Sequence, residues 1–282
     1  MPTENLPESA ARFVPHRPPI LMLHKLTACN GESAEGIAWI PHVSPFHTQG
    51  LLPRAFFVEL LTQLIAAAQG YRGAGAETPP AGYLVGIDEF DCYKDAHAGD
   101  FLHLNIRRMN QVEGFNISEG KITRGDELLA FGELRCFLVS SSALPPPTYI
   151  VPQYFESGRN TLGEVIGGCM EIVSVNAAAG KAEADVRFVA DAPMFAGHFP
   201  DRPIVPGVVW LEAGLVLATT LLSQQIRLRK IVSARFKKPI GPDYPVRMEL
   251  NVRSQNKDVV MSSRISAGKA LVAAFELSLE CI

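Results

Sequence analysis

The sequence predicts an α+β fold that is built twice, because both halves of the chain show the same order of elements. A serine- and proline-rich stretch at residues 140–147 divides the 282 residues near their middle, and consecutive prolines stay extended rather than joining a packed element. Each half contains one long apolar helix followed by strand-like alternation. The expected units are an N-terminal domain at residues 1–139, a linker at 140–160 and a C-terminal domain at 161–282.

The two predicted helices share a proline and a glutamate at the same spacing. Residues 54–69 and 207–222 are almost wholly apolar, and a helix that is apolar on every side is a buried helix. Pro53 and Pro206 stand where proline commonly begins a helix. Glu59 and Glu212 follow these prolines by six residues, and this repeated spacing relates the two halves.

Alternating strand patterns follow each helix in the same order. In the first half, a strand and turn at residues 83–100 precede strands at 101–107, 115–123 and 128–139. In the second half, the corresponding segments are 230–246, 247–252, 259–265 and 270–279. Runs of this length with period-2 alternation predict a half-buried sheet.

Composition excludes several classes of protein. The net charge of −3 gives no general attraction to nucleic acid or to a membrane surface. We expect no membrane span, because no run of about 18 apolar residues occurs, and no secretory signal, because residues 1–12 lack an apolar core. The five cysteines are scattered without Cys-x-x-Cys spacing, which indicates reduced thiols in a cytoplasmic protein rather than a zinc site or disulfides.

The segment at residues 195–213 is the most informative part of the chain. It combines one histidine, His198, with three prolines that fix the backbone of a loop, and it then enters the second apolar helix. A rigidly held imidazole and a carboxylate on an apolar element are what general acid–base chemistry requires.

Residues 197–213, Gly-His-Phe-Pro-x-x-Pro-x-x-Pro-Gly-Val-x-x-x-Glu-Ala, resemble the signature of β-hydroxyacyl-acyl-carrier-protein dehydratases of the hot-dog fold. Residues 16–23 resemble the opening segment of the same family. The resemblance implies a double hot dog, in which two antiparallel sheets each wrap a long central helix and join as a pseudo-dimer.

The first half departs from this signature. Its Gly-His-Phe-Pro sequence is missing, and Arg54 stands where the second half has Gly207. This degenerate half is similar to the partner-type subunits of dehydratase pairs in aryl-polyene-like and polyunsaturated-fatty-acid-like pathways. It retains Glu59 and Gln63, which match the family's Glu-x-x-x-Gln.

The resemblance assigns roles across the two halves. In the family, the histidine of one hot dog meets the carboxylate of the other, so His198 is expected to act as base with Glu59 as acid, leaving one working site and one vestigial site. Glu212, fourteen residues after His198 in the same motif, is the alternative acid. His42 and His47 are alternative bases in the first half, although a loop histidine is commonly structural.

Further site residues follow from the same comparison. The backbone N–H of Gly207, at a helix N-terminus, is expected to stabilise the enolate-like oxygen. Phe199, Pro206 and Gln63 are expected to contact the substrate. No metal or redox cofactor is implied, since the acyl group would arrive on the phosphopantetheine arm of an acyl carrier protein.

A charge contrast suggests where that carrier would dock. The second half carries a basic stretch between Arg227 and Lys238, whereas the equivalent first-half stretch is mainly acidic. We expect Arg235, Lys237 and Lys238 to receive the carrier protein; the alternative is an ordinary charged strand edge. Further association into a homodimer of double hot dogs is compatible with the family.

The sequence therefore predicts a (3R)-hydroxyacyl-acyl-carrier-protein dehydratase that forms a trans-2-enoyl thioester in fatty-acid or polyketide-like biosynthesis. Two alternatives remain open at this point. One is a hot-dog acyl-thioesterase that activates water with a carboxylate. The other is a catalytically silent acyl-binding subunit that needs a separate partner protein.

Overall fold

The protein is represented by a computed structural model, which describes residues 6–73, 81–139, 161–200, 202–255 and 258–282. The predicted linker at residues 140–160 lies outside the described residues, so the domain boundaries drawn there stay a prediction.

Each half folds around one long helix. The helices are α1 (Phe56–Arg72), α2 (Leu162–Gly168) and α3 (Gly207–Leu222). The strands of the first half are β1 (Glu8–Ser9), β2 (Leu23–Cys29), β3 (Ser33–Trp39), β4 (Leu51–Leu52), β5 (Ala81–Cys92), β6 (Ala96–His97), β7 (Phe101–Val112), β8 (Phe115–Arg124) and β9 (Glu127–Val139). Those of the second half are β10 (Met170–Asn176), β11 (Lys181–Val186), β12 (Ile226–Phe236), β13 (Val246–Gln255), β14 (Asp258–Ala267) and β15 (Ala270–Cys281).

Thirteen of the described strands form a single antiparallel sheet. Their order is β1-β2-β3-β7-β8-β9-β5-β12-β15-β14-β13-β11-β10. The order is symmetric about the β5–β12 pair, since β9, β8, β7, β3 and β2 on one side match β15, β14, β13, β11 and β10 on the other. Strands β4 and β6 form a separate small sheet.

The central helices are buried, as their apolar sequences predict. Helix α1 contacts β2, β3 and β7, and α3 contacts β11, β12 and β13. Gly120 on β8 permits the close approach of α1, because a Cβ at this position would lie 2.6 Å from a methyl group of Leu61. The double hot-dog architecture is confirmed, and both central helices begin within two residues of the predicted position. The two predicted sheets are continuous through β5 and β12.

The charge contrast between the halves has a structural explanation in this β5–β12 junction. The Arg235 guanidinium lies 2.6 Å from Asp88, the Lys230 ammonium lies 3.6 Å from Asp91, and Arg227 lies 3.3 Å from Asp95. The acidic stretch of one repeat therefore neutralises much of the basic stretch of the other. The Arg235 guanidinium is bound to Asp88 and to the Ile87 carbonyl, and its docking of a carrier protein stays a prediction.

No described helix combines the length and the apolar character that crossing a membrane requires.

Candidate active site

A cavity of about 400 Å³ lies between the two repeats. Its wall on the first-repeat side follows one face of α1 through Glu59, Thr62, Ala66 and Gln69, which are neighbours at helical spacing. The second repeat contributes the loop before α3 and the end of β12. The residues that line the cavity include His16, Glu59, Tyr83, Phe137, His198, Phe199, Arg202, Gly207, Phe236, Lys237 and Lys238.

Gly197 explains how the histidine loop reaches the first repeat. Its φ of +81° is a conformation that side chains rarely adopt, and a Cβ here would lie 1.9 Å from the Arg17 carbonyl oxygen. The Arg17 N–H donates to the Gly197 carbonyl at 3.0 Å. Only glycine allows these two loops to touch, and their contact brings His198 beside residues of the other repeat.

His198 is buried and its orientation is fixed by a backbone hydrogen bond. Its Nδ1 lies 3.0 Å from the Ile204 carbonyl oxygen. A carbonyl can only accept, so this contact places the proton of the neutral ring on Nδ1. The lone pair is then on Nε2, the atom that a base needs.

Glu59 meets His198 from the opposite repeat, as the sequence predicts. It is 3% exposed, and its Oε1 accepts a hydrogen bond of 2.9 Å from Gln63 Nε2. One oxygen is thus held by the protein, which leaves Oε2 as the oxygen that can exchange a proton with a ligand.

Gln63 has a different role from the predicted substrate contact. Its side chain is fully buried and is absent from the described cavity wall. Oε1 accepts from the Met22 and Leu23 N–H groups at 3.1 Å each, and Nε2 donates to the Ile20 carbonyl as well as to Glu59. Every hydrogen-bonding position is therefore used, and Gln63 positions Glu59 and the chain that carries His16.

His16 is a site residue that the sequence reasoning did not single out. Its Nε2 lies 3.5 Å from Glu59 Oε1, and its ring centroid lies 5.4 Å from that of His198. Burial, followed by the charges of His198 and Arg17, holds its pKa well below the usual value. Its Nδ1 is buried without a hydrogen-bond partner among the described residues. The only signal for His16 was its place in the family's opening segment.

The structure separates the remaining predicted contacts. Phe199 lines the cavity and stacks on His198 with a centroid distance of 4.4 Å. Gly207 also lines the cavity, and as the first residue of α3 its N–H has no partner within the helix. Pro206 is the N-cap residue of α3 and does not belong to the described cavity wall, and its substrate contact stays a prediction.

Two family models cover most of the chain. Residues 8–143 match the model described as ApeP dehydratase, and residues 174–274 match the model described as ApeI dehydratase. The chain belongs to the hot-dog dehydratases. Its ApeP-like half is the degenerate repeat, and its ApeI-like half carries the His198 loop.

Curated relatives match the chain over shorter stretches. The 3-hydroxyacyl-[acyl-carrier-protein] dehydratase FabZ of Solibacter usitatus is 36% identical over 90 residues, which are 29% of this chain and 56% of the relative. That of Magnetococcus marinus is 36% identical over 76 residues, 24% of this chain and 50% of the relative. The chain thus spans about half the length of these curated relatives.

Solved structures show the same fold as the dehydratase at low sequence identity. A hot-dog protein of unknown function from Alicyclobacillus acidocaldarius is 8% identical, with a TM-score of 0.56 over 91% of this chain and 95% of its own. The dehydratase domain of RzxB from Pseudomonas fluorescens is 11% identical, with a TM-score of 0.54 over 94% and 99%. These likenesses support the double hot-dog fold alone.

Arg54 occupies the position in the first repeat that is equivalent to Gly207 in the second. This residue precedes Glu59 as Gly207 precedes Glu212, and its guanidinium donates to the Leu228 and Cys92 carbonyls at 2.9 and 3.3 Å. It also lies 2.7 Å from Asp95 and 3.3 Å from Glu280. By contrast, a Cβ at Gly207 would already crowd Phe236 and Leu84. The arginine side chain is thus bound by groups of both repeats, whereas the equivalent position of the working site carries no side chain.

The carboxyl group of Glu212 lies beside the residue that follows Arg54. It accepts a hydrogen bond from the Ala55 backbone, and burial raises its pKa to about 8. Part of the residue reaches solvent, yet Oε1 is buried without a hydrogen-bond partner among the described residues. Neither His42 nor His47 lines the described working cavity; His47 is buried, and burial lowers its pKa.

We expect Glu212→Gln to remove a pH dependence of the dehydratase's stability. The folded state holds the Glu212 proton up to about pH 8, whereas the unfolded chain loses it near the ordinary glutamate pKa of 4.5. The wild type therefore loses stability as the pH rises from about 4.5 to 8, by on the order of 3 kcal/mol after a discount for partial solvent access. Urea unfolding of both proteins at pH 5, 7 and 9 should show that the free energy of unfolding of the variant rises relative to that of the wild type as the pH increases. A difference that stays constant with pH would contradict this.

Proposed function

We propose that the chain is a (3R)-hydroxyacyl-[acyl-carrier-protein] dehydratase with a single working site, formed by His198 of the second repeat and Glu59 of the first. The observation that carries this proposal is the convergence of these two side chains, from opposite repeats, on one cavity. Their partners fix a base and a proton donor at neighbouring positions. The product is the trans-2-enoyl thioester and water.

His198 removes the proton from the α-carbon of the substrate. The lone pair on Nε2 accepts this proton, while the Ile204 carbonyl holds Nδ1–H and stabilises the imidazolium that forms. Electron density moves onto the thioester oxygen as the α-proton leaves. The Gly207 N–H, at the positive end of α3, is placed to donate a hydrogen bond to that oxygen.

Glu59 completes the elimination at the β-carbon. Hydroxide is a poor leaving group, so the carboxylic acid gives its proton to the β-hydroxyl as the carbon–oxygen bond breaks. The electron pair from the α-carbon forms the double bond, and water leaves. Gln63 and His16 both contact Oε1 and so keep the other oxygen toward the substrate.

The cavity gives the substrate a direction. Lys237, Lys238 and Arg202 are exposed and line the cavity, and the partly buried rings of Tyr83 and Phe137 line it as well. An acyl chain would lie along α1, with its thioester near Gly207. The carrier protein, whose phosphopantetheine arm bears the acyl group, would then approach the cationic side.

Charge reversal at the cationic side tests the carrier proposal. We expect Lys237→Glu combined with Lys238→Glu to raise KM several-fold for a substrate on acyl carrier protein, because rim charges steer association. The effect should shrink with added salt and with the same acyl group on a short thiol. Lys121→Glu, an exposed strand lysine outside the cavity wall, is the matched control. An unchanged KM on the carrier substrate would discard the docking surface.

The reaction type is tested with the purified chain alone. Crotonyl thioester, followed by loss of its conjugated absorbance, reports hydration in the reverse direction, and a thiol reagent reports hydrolysis. Hydration without thiol release supports the dehydratase. Thiol release would favour a thioesterase, and activity only after addition of a second protein would favour a silent subunit.

A further inference from the structure

Three metal-ligating side chains of the working cavity lie close enough to hold one ion. One ligand atom from each of His16, Glu59 and His198 can be chosen so that all three lie within 4.8 Å of one another. The His16 Nε2 to Glu59 Oε1 distance is already 3.5 Å. Ligand atoms of a tetrahedral zinc ion, with bonds of about 2.0–2.1 Å, lie about 3.3 Å apart. The three side chains would therefore have to approach one another by no more than about 1.5 Å to hold the ion.

The chemistry of this set is selective. Two imidazole nitrogens and one carboxylate oxygen form a donor set that favours zinc and neighbouring transition metals over magnesium or calcium, which prefer oxygen ligands. All three residues are buried, and the cavity of about 400 Å³ leaves room for an ion with bound water.

The hydrogen bonds of His198 and Glu59 also fit a metal, whereas His16 Nδ1 has no partner among the described residues. A ligating histidine usually donates its other ring N–H to a carbonyl or carboxylate, which turns its free nitrogen toward the ion. His198 Nδ1 makes this contact with Ile204, so Nε2 is the ligand atom. Gln63 holds Glu59 in the same way that outer residues hold a ligating carboxylate.

We propose that His16, Glu59 and His198 form a reversible inhibitory site for a transition-metal dication such as Zn²⁺ or Co²⁺. The ion bonds to His198 Nε2 and to the Glu59 carboxylate, with His16 Nε2 as third ligand and water completing the shell. Inhibition rests on the proposed function, because these are the atoms assigned there to the base and the acid, and metal binding itself does not depend on that assignment.

The cations near the site make binding moderate rather than permanent. The Arg17 guanidinium turns toward the Val14 and His16 carbonyls beside the triad, and Arg202, Lys237 and Lys238 line the cavity. These charges repel a dication. The site is therefore suited to an inhibitor that a chelator removes.

The test measures Co²⁺ binding without substrate. We expect the wild type to bind one equivalent and to show visible bands of a nitrogen- and oxygen-ligated ion, without the near-ultraviolet band of a thiolate. His16→Gln and Glu59→Gln should each weaken binding by more than the roughly 10–100-fold cost of losing an outer-shell contact. His47→Gln and Glu212→Gln are matched controls and should bind Co²⁺ with the affinity of the wild type. Circular dichroism checks that each variant is folded.

Several results would overturn the inference. Unchanged Co²⁺ affinity in folded His16→Gln and Glu59→Gln, or a thiolate band alone, would place the metal elsewhere, such as at exposed Cys281. Zn²⁺ should also raise the KM of crotonyl hydration, and a chelator should reverse this. Triad-dependent Co²⁺ binding in a chain without hydratase activity would retain the metal site and reject the proposed function; activity without such binding would do the reverse.

Discussion

Glu59→Gln is expected to lower kcat/KM for hydration of crotonyl thioester by about 10²–10⁴-fold, the contribution of a positioned general acid. Glutamine has the size of glutamate and can still accept the hydrogen bond from Gln63, so the cavity keeps its shape. It cannot take the proton from the attacking water in hydration, which is the reverse of giving a proton to the leaving hydroxyl in dehydration. Steady-state rates with equal amounts of folded protein measure this loss.

Glu212→Gln is the matched control for that experiment. The residue occupies the same position in the equivalent helix, but its carboxyl group accepts a hydrogen bond from Ala55, beside the arginine that stands where the working site has Gly207. Its activity should stay close to wild type. If Glu212→Gln were inactive and Glu59→Gln active, the assignment of the acid across the repeats would be wrong.

His198→Gln should cause a loss of similar size, about 10²–10⁴-fold, and should also remove a partial reaction that Glu59→Gln retains. A saturated acyl thioester has an α-proton but no leaving hydroxyl. Its exchange with deuterated water therefore needs the base and the Gly207 N–H, and does not need the acid. Mass spectrometry of butyryl thioester after incubation measures this exchange.

The two histidine variants separate chemistry from packing. His47→Gln also replaces a buried histidine, but one outside the described cavity wall, and it should retain both exchange and hydration. Normal exchange by folded His198→Gln would show that another group is the base, and His16 would be the first to examine.

The helices were accessible from the sequence because they depend on local signals that repeat at fixed spacing, whereas the cross-repeat pairing of His198 with Glu59 was implied by the resemblance to hot-dog dehydratases. The apolar stretches and the proline-to-glutamate interval appear in each half. The sequence also showed the contrast between the basic stretch of the second half and the acidic stretch of the first half, but it did not show that the two stretches pair with each other. Arg235 and Asp88 lie 147 residues apart, and only the pairing of β5 with β12 makes them partners.

The roles of His16 and Gln63 depend on contacts between loops rather than on sequence pattern. His16 lies 43 residues from Glu59 in the chain, and its position is set by the Arg17–Gly197 hydrogen bond and by Gln63 holding residues 20–23. A motif marks such residues only if its function is already known. The hydrogen bonds of Arg54 to the Leu228 and Cys92 carbonyls could not be predicted either, because they depend on how the two repeats pack.

The continuous β5–β12 pairing has a consequence for dilution. Two separate subunits sharing one catalytic centre lose activity when their concentration falls below their dissociation constant. Here both contributors belong to one chain, and a covalent link gives them an effective concentration in the millimolar range for short flexible connections. Specific activity should therefore stay constant however scarce the protein is, and each copy carries its acid and its base in fixed one-to-one proportion.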